Sequence, residues 1–568
     1  MSHKRHAPIE IDNEEFRNAG HKLIDTIADF LGTIQQKPVT TGEKFKALQA
    51  LLGMSSLPAD GISTEHIIAK ASALLLDHSL FNGHPKFFGY ITSSPAPIGA
   101  LADLLAAVVN PNVGAQVLSP MATQIELQTI QWLSEFIGVP STYGGILVSG
   151  GNMANFTAFV TARTIKAPKK IKSGGITEGD KLVVYCSKAT HTWIEKAAVL
   201  FGLGSNAIHW VETSADNKMK VDALERMIQK DLQDGCKPIM VIGNAGDVST
   251  GAVDDLQALS AICKKYELWF HIDGAYGIPA AVLPELKDMF AGVDGADSIA
   301  LDPHKWLYSP LEAGCTLVKD PNHLIETYSS HPVYYNFSST VERTHNFYEY
   351  GFQNSRGFRA LKVWMSLLQV GRNGYIQMIR EDIELSKLMY ALVDAHAELE
   401  AMTQSLSIAT FRYVPADVKA INNKEDYLNR LNESLLNELQ QGGQVFLSNA
   451  VIGEKYCLRA CIVNFRTSRE DIEQVVQIIV AAGKKVHKAL MEKPANKTWL
   501  SHAGMKGGST IFVLTKALYA TLKDGTKIEM AYFFNDLTGE ENHRLQTWMN
   551  DFEIKVIRDE SFRKQVSF

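Results

Sequence analysis

The chain has 568 residues, 46% apolar and 21% charged, the balance of an ordinary globular protein too long for one small core. Its formal net charge of −6 argues against general binding to nucleic acid or to an anionic membrane, since both need basic surface. The apolar stretch Ile98 to Val109 is broken by Asp103 and bounded by Asn110, too short to span a bilayer, so no membrane partner is expected.

The N-terminus has basic residues without an apolar run behind them, which is not the pattern of a secretory signal. The first predicted element is a helix through Phe16, Leu23, Ile24, Ile27, Phe30 and Leu31, with Asp12 or Asn13 as its cap. From Gly144 to Lys319 short apolar runs alternate with helical stretches. The runs are Ile146 to Val148, Leu182 to Tyr185, Ile239 to Ile242, Leu268 to Ile272, Ser298 to Leu301 and Cys315 to Val318, and the helices between them include Met153 to Thr164, Asp222 to Leu232 and Asp255 to Tyr266. Near-continuous apolar strands separated by helices predict a mostly parallel sheet covered on both faces, which binds ligands at the carboxyl ends of its strands. Further on, Leu406 to Tyr413 and Leu458 to Phe465 read as strands and Arg469 to Leu490 as a helix, together a smaller α+β domain. Two strand-like runs, Ser509 to Leu514 and Lys527 to Phe534, mark the last stretch. The six cysteines (Cys186, Cys236, Cys263, Cys315, Cys457 and Cys461) form no C-x-x-C pair, and no His/Cys pair completes a zinc set around Cys457 and Cys461. Reduced thiols in a cytoplasmic protein, and no metal, are expected.

Four features follow the strand ends. Ser149-Gly150-Gly151-Asn152 sits between a strand and a helix, where small residues let backbone N–H groups approach a phosphate. Taken alone such a turn is common. His191 follows the second strand; a lone histidine is usually a polar surface or core residue, but its ring can stack on a flat aromatic cofactor. Asp273 ends an apolar strand, where a buried carboxylate needs a partner such as a protonated pyridine nitrogen, a helix N–H or a metal. Lys305, in Asp302-Pro303-His304-Lys305-Trp306, lies just past another apolar strand beside a tryptophan, a setting for a nucleophilic amine or for a lysine reaching back to solvent. In this chain order the four make a phosphate cradle, a stacking imidazole, a pyridinium acid and a lysine for a Schiff base.

On these residues the chain resembles the group II pyridoxal-phosphate decarboxylases, whose members include aromatic-L-amino-acid, glutamate, histidine and sulfinoalanine decarboxylases. The resemblance runs from about Glu14 to Leu490, and Asp302 to Leu307 carries its most specific motif. Other matching pieces are His84 to Tyr90, Leu118-Ser119-Pro120 with Glu126, Asn244-Ala245-Gly246, and Ser355 to Lys362.

The resemblance implies pyridoxal 5'-phosphate as cofactor and an α/β fold of type I, aspartate-aminotransferase-like, with a mostly parallel central sheet and a smaller α+β domain. It implies a helical dimerisation segment over 1–85, a cofactor-binding domain over 86–370, a small domain over 371–493 and an extension of unassigned role over 494–568. It further implies that Lys305 holds the cofactor as a Schiff base, Asp273 pairs with its ring nitrogen, and His191 stacks on its ring. Gly150, Gly151, Asn152, Asp302 and His304 surround the phosphate, Ala275 packs on the ring, and Tyr90 and Ser93 face the substrate. Tyr334, with Tyr335 as the neighbour one place on, matches a loop tyrosine that reprotonates the substrate carbon. Two departures stand out: Asp247-Val248 where many relatives have two threonines, and small residues over Asn112 to Gln116 where animal aromatic decarboxylases carry bulky ones.

The expected activity is decarboxylation of an L-amino acid to its amine by a homodimer. An aromatic substrate is favoured because His84 to Tyr90 supplies aromatic residues for a pocket, although Phe87 and Phe88 serve equally well as core. Alternatives on the same fold are an acidic amino acid decarboxylase, an aldehyde synthase or an aminotransferase. An alternative of another class is a binding or scaffold protein without catalysis, which the intact Lys305, Asp273 and His191 oppose.

Overall fold

A computed structural model describes residues 7–53, 56–168, 171–330, 344–418 and 423–491, together with 500–509, 514–522, 527–534 and single positions between 545 and 559. The chain divides into two compact units, Met1–Val486 and His487–Phe568.

The first unit opens with α1 (Asn13–Thr33), α2 (Phe45–Leu52), α3 (Thr64–His78), α4 (Pro97–Val109) and α5 (Pro120–Ile137). Asp12 is the cap of α1, its carboxylate accepting from the N–H groups of Glu14 and Glu15 at 2.9 and 2.8 Å. Strands and helices then alternate: β1 (Gly144–Val148), α6 (Gly151–Lys166), α7 (Ile171–Gly174), β2 (Leu182–Ser187), α8 (Trp193–Leu200), β3 (Ile208–Val211), α9 (Val221–Gln233), β4 (Lys237–Asn244), α10 (Leu256–Lys265), β5 (Trp269–Asp273), β6 (Ser298–Leu301) and β7 (Gly314–Val318). The seven strands form one sheet in the order β1-β7-β6-β5-β4-β2-β3. From β3 to β6 the pairings are parallel, whereas β7 runs antiparallel to both β6 and β1. Every residue of β2, β5, β6 and β7 is buried, as strands covered by helices on both faces require. The predicted sheet is thus present, with β3 as an addition.

The unit continues with α11 (Asn322–Tyr328), the long α12 (Ala360–Asp394), β8 (Leu399–Ser405), β9 (Ile408–Tyr413), α13 (Lys424–Gly442), β10 (Ser448–Ile452), β11 (Lys455–Cys461) and α14 (Arg469–Met491), the last crossing the division between the units. Gly371 interrupts α12 with a positive φ of 65°. A four-stranded antiparallel sheet, β10-β11-β9-β8, forms the smaller α+β layer. The strand predicted from Leu406 begins two residues later, because Leu406 takes a left-handed turn conformation (φ 47°) between β8 and β9.

Two of the matching motifs meet in the core. Arg356 is buried, and its guanidinium lies 2.5 Å from Glu126 on α5 while donating to the carbonyls of Val113 (2.8 Å) and Leu147 (2.7 Å). Glu126 also accepts from the Leu147 N–H at 3.0 Å. This ion pair, with its remaining hydrogen bonds to backbone, ties α5, β1 and the 112–116 segment together.

In the second unit, β12 (Leu500–Ser509), β13 (Leu514–Leu522) and β14 (Lys527–Phe534) form an antiparallel sheet in sequence order. Of the run Ser509 to Leu514, predicted as a strand, Ser509 ends β12 and pairs with Leu514, which starts β13, and 510–513 lie outside the described residues.

Candidate active site

Beyond the carboxyl ends of the central strands lies a cavity of about 460 Å³. Doubly wound sheets bind ligands at this position. Ser149 to Met153 after β1, Ala189 and His191 after β2, Asn244 and Gly246 to Val248 at the end of β4, Asp273 at the end of β5, and Asp302, His304 and Lys305 after β6 line it. Tyr90 to Thr92 and Arg459 of β11 complete the wall.

The chemistry of this wall follows from burial and pairing. Asp302 is fully buried, and among the described residues neither of its carboxylate oxygens has a hydrogen-bond partner. The Lys305 ammonium lies 2.9 Å from it, and His304 Nε2 lies at 3.7 Å. Asp273 is also buried; its Oδ2 accepts from the indole Nε1 of Trp193 at 2.7 Å and its Oδ1 from the Ala275 N–H at 3.3 Å. His191 presents an open face to the cavity, yet burial of the rest of the ring lowers its pKa; Lys305 and Lys196 act in the same direction and Asp273 against it. Its Nδ1 accepts from the Trp193 N–H at 3.3 Å, and His304 Nδ1 accepts from the Ala313 N–H at 3.0 Å. A ring nitrogen that accepts from an N–H carries no proton, so both neutral imidazoles carry theirs on Nε2. Burial lowers the pKa of His304 as well.

The glycines leave room where no side chain fits. A Cβ on Gly151 would stand 2.6 Å from Asp302 Oδ2, and one on Gly150 would stand 3.0 Å from His304 Cε1. Gly150 is the cap residue of α6, and no side chain caps that helix, so its first N–H groups face the cavity mouth with their partial positive charge. An anion at the α6 terminus, a protonated nitrogen against Asp273 and a carbonyl carbon for Lys305 are what these groups suit. That set fits pyridoxal phosphate.

The sequence model of the pyridoxal-dependent decarboxylase conserved domain matches residues 20–414. The chain belongs to the pyridoxal-dependent decarboxylase family. Its cofactor is pyridoxal 5'-phosphate and it is a carboxy-lyase of amino acid metabolism. Among curated relatives it is 34% identical to an aromatic-L-amino-acid decarboxylase of Bacillus atrophaeus over 480 residues, covering 84% of this chain and 97% of the relative. It is 31% identical to a phenylacetaldehyde synthase of Petunia hybrida over 466 residues, 80% of this chain and 91% of that one. Among solved structures, the tryptophan decarboxylase of Catharanthus roseus in complex with L-tryptophan superposes with a TM-score of 0.76 at 25% identity, covering 85% of this chain and all of that one (100%).

Within this decarboxylase the structure gathers Tyr90, Gly150, Gly151, Asn152, His191, Asp273, Ala275, Asp302, His304 and Lys305 around one cavity. Ser93 departs from its expected place. It is buried, its hydroxyl donates to the His304 carbonyl at 3.0 Å, and Thr92 lines the cavity instead. Phe87 and Phe88 are core residues, 2% and 0% exposed, so the pocket's aromatic character does not come from them. Of the 112–116 segment none lines the cavity: a Cβ on Gly114 would fall 2.1 Å from the Asn354 carbonyl, so close packing demands the small residue there. Asp247, in place of a threonine, is a turn-former whose carboxylate accepts from the N–H groups of Ser249, Thr250 and Ala252 at 2.8 to 3.0 Å. Tyr334 and Tyr335 lie outside the described residues.

Arg459, Trp193, Asn155 and Tyr276 belong to the site or its wall and carried no sequence signal. Arg459 is 5% exposed; its Nη2 donates to the Tyr90 carbonyl at 2.5 Å, and among the described residues its Nε has no hydrogen-bond partner. Tyr90 itself sits in the left-handed region (φ 51°), a strained conformation for a tyrosine that this contact helps to hold.

Proposed function

We propose that this decarboxylase acts on an aromatic L-amino acid, releasing carbon dioxide and the corresponding amine. The observation that carries the reading is the opposition, across one cavity, of Lys305 paired with Asp302 to Asp273 paired with Trp193. The aromatic substrate is supported by the apolar side chains of Ile91, Met153, Val248 and Tyr276 in the wall and by the names of the relatives.

In this reading Lys305 holds the cofactor covalently, Asp273 its ring nitrogen, and His191 its ring face. Gly150, Gly151, Asn152, Asp302 and His304 surround its phosphate, Ala275 packs on the ring, and Tyr90 stands on the substrate side. Bound there, the cofactor supplies an electron sink for the pair released when the carboxylate departs. Asp273 keeps a proton on the ring nitrogen, and the fixed Trp193 donor keeps the carboxylate aimed without reorganisation. Tyr334, or His191 through its Nε2 proton, returns a proton to the reacting carbon.

One observation favours a second reading. Arg459 is a buried cation in the wall with an unused Nε, a group that suits an acidic substrate side chain as well as an α-carboxylate.

A homodimer in the cytoplasm completes the proposal. Leu101, Leu104, Leu105, Val108 and Val109 give α4 an exposed apolar face, and a groove of about 1090 Å³ lies between α1 and α3, both suited to a second copy. Among the described residues no helix is long and apolar enough to cross a membrane, and all six cysteines are unpaired.

The test is incubation of the protein with pyridoxal phosphate and a panel of L-amino acids, including L-DOPA, 5-hydroxytryptophan and cysteine sulfinate, with products read by mass spectrometry. Amines from aromatic substrates support the proposal. Amines from glutamate, aspartate or cysteine sulfinate alone move it to the Arg459 reading, and aldehyde with ammonia moves it to the synthase branch.

A further inference from the structure

The residues just after Lys305 are held from behind the cavity by one carboxylate. Asp382 on α12 is 2% exposed, and its Oδ2 accepts from Trp306 Nε1 at 2.8 Å and from the Tyr308 hydroxyl at 2.5 Å. The Asn464 backbone lies beside the same carboxyl and draws its pKa down. Trp306 and Tyr308 are themselves buried, and they follow Lys305 within three residues. Tyr308 adopts a left-handed φ of 56°, its N–H donating to the Lys305 carbonyl at 3.1 Å. A β-unbranched aromatic residue keeps such a conformation only when its surroundings over-determine it. Seven residues earlier on the same face of α12, the Tyr375 hydroxyl donates to the Leu307 carbonyl at 3.1 Å. The helix thus grips 306–308 at two points. Trp306 also stacks on Tyr276, with ring centroids 5.1 Å apart and planes inclined by 11°, and Tyr276 lines the cavity.

We infer that Asp382 is a positioning residue for Lys305: by accepting from Trp306 and Tyr308 together it fixes the tight turn that delivers the lysine amine to the cavity. The inference rests on the reading of Lys305 as the cofactor-bearing lysine. Among the described residues Asp382 forms no ion pair, and its contacts are with neutral donors. The titratable groups around it are Tyr308, Glu381 on its own helix and the Cys461 thiol of β11. Burial, partly offset by the Tyr308 and Trp306 donors, pushes its pKa up to about 7. The ionised carboxylate is the stronger acceptor for both donors, whereas a proton on its other oxygen leaves Oδ2 a neutral and weaker one. The grip on the lysine turn is therefore tightest on the alkaline side of that midpoint.

The experiment follows the capture of pyridoxal phosphate by the full-length apoprotein, through the visible band of the bound cofactor, from about pH 5.5 to about pH 8.5. Wild type, Asp382→Asn, Tyr308→Phe and Lys305→Ala are compared. Wild type should show a step in capture rate near the carboxyl's midpoint. Asp382→Asn should lose that step and at the alkaline end capture about tenfold more slowly, with kcat lowered in proportion and KM for the amino acid changed less than about threefold. Tyr308→Phe, which keeps the ring and the Trp306 bond, should slow capture about threefold and displace the step. A mere loss of packing would lower the melting temperature without moving the step. Wild-type rate and pH course in both Asp382→Asn and Tyr308→Phe would overturn the inference, and if Asp382→Asn does not fold, the same result in Tyr308→Phe alone overturns it. Lys305→Ala separates the two levels: a lasting visible band there would sink the lysine assignment itself.

Discussion

The indole Nε1 of Trp193 donates to Asp273 Oδ2 across 2.7 Å, joining the first turn of α8 to the end of β5 with both side chains buried. A buried acid at the end of an apolar strand needs a partner, and Trp193 is a neutral donor that does not cancel its charge. Trp193→Phe keeps the ring and deletes the donor, at a cost of about 1–3 kcal/mol to the buried carboxylate. The expected outcome is about a tenfold weaker grip on pyridoxal phosphate, read by titrating the apoprotein and following cofactor fluorescence. Because the same donor aims the carboxylate, kcat should fall with it, whereas unchanged cofactor affinity would show the contact to be ornamental to binding.

Gly151→Ala tests the cradle. The added methyl would stand 2.6 Å from Asp302 Oδ2 and 3.3 Å from the Ala275 methyl, and the buried carboxylate has little space to retreat. The α6 terminus must shift away from the cavity, so cofactor affinity should drop by about two orders of magnitude while the circular dichroism spectrum stays that of the parent. Equilibrium dialysis against pyridoxal phosphate measures it, and retention of parental affinity would show that the phosphate lies elsewhere.

How much of this could be read from the residues depends on where each signal lives. The central strands were legible because strands covered on both faces are apolar throughout, and Ser298–Leu301 matches residue for residue. β3 was missed because Ile208–Val211 is a short edge strand with His209 and Trp210 half-exposed in its middle. β8, Leu399–Ser405, was missed because only its first residue is buried and its sequence alternates weakly. Lys305, Asp273 and His191 were legible because each follows its own strand at the same edge of one sheet. Arg459 was not, because β11 reaches the cavity only through tertiary packing, with Tyr90 some 369 positions earlier as its partner. Ser93 was misplaced by one residue, since Thr92 faces the cavity and the serine turns inward to His304.

His271 sets a pH limit on the fold. The ring is fully buried, its Nε2 bonded to the Asn155 carbonyl oxygen at 2.7 Å and its Nδ1 to Ser298 Oγ at 2.8 Å. Burial brings its pKa down to about 4, against an ordinary value of 6.5, while the nearby Asp273 pulls the other way. Between those values the unfolded chain binds a proton that the folded chain refuses. The contribution is therefore complete above about pH 6.5 and is lost as pH falls toward about 4, with a total on the order of 3 kcal/mol. His271→Gln should shrink the loss of stability between about pH 7.5 and about pH 5 by a sizeable part of that amount, measured as the difference between two denaturant midpoints in each protein. An identical pH loss in variant and parent would remove His271 from the account.

The last prediction concerns the proton that ends the reaction. When carbon dioxide leaves, the substrate carbon holds an electron pair that must take up a proton before the amine can depart. If that proton is withheld, the pair remains available to dioxygen, and oxidation followed by hydrolysis gives an aldehyde, ammonia and hydrogen peroxide in place of the amine. Tyr334 is the proposed donor, with His191 as the alternative. Tyr334→Phe should therefore divert the product from amine to aldehyde, with oxygen uptake matching aldehyde formed, while total substrate consumption falls by about tenfold or less. Tyr335→Phe should leave the amine as product. A reversed pattern would assign the role to Tyr335, and amine formation intact in both variants would place the proton on His191, whose Nδ1 already accepts from the Trp193 N–H and whose Nε2 is left to donate.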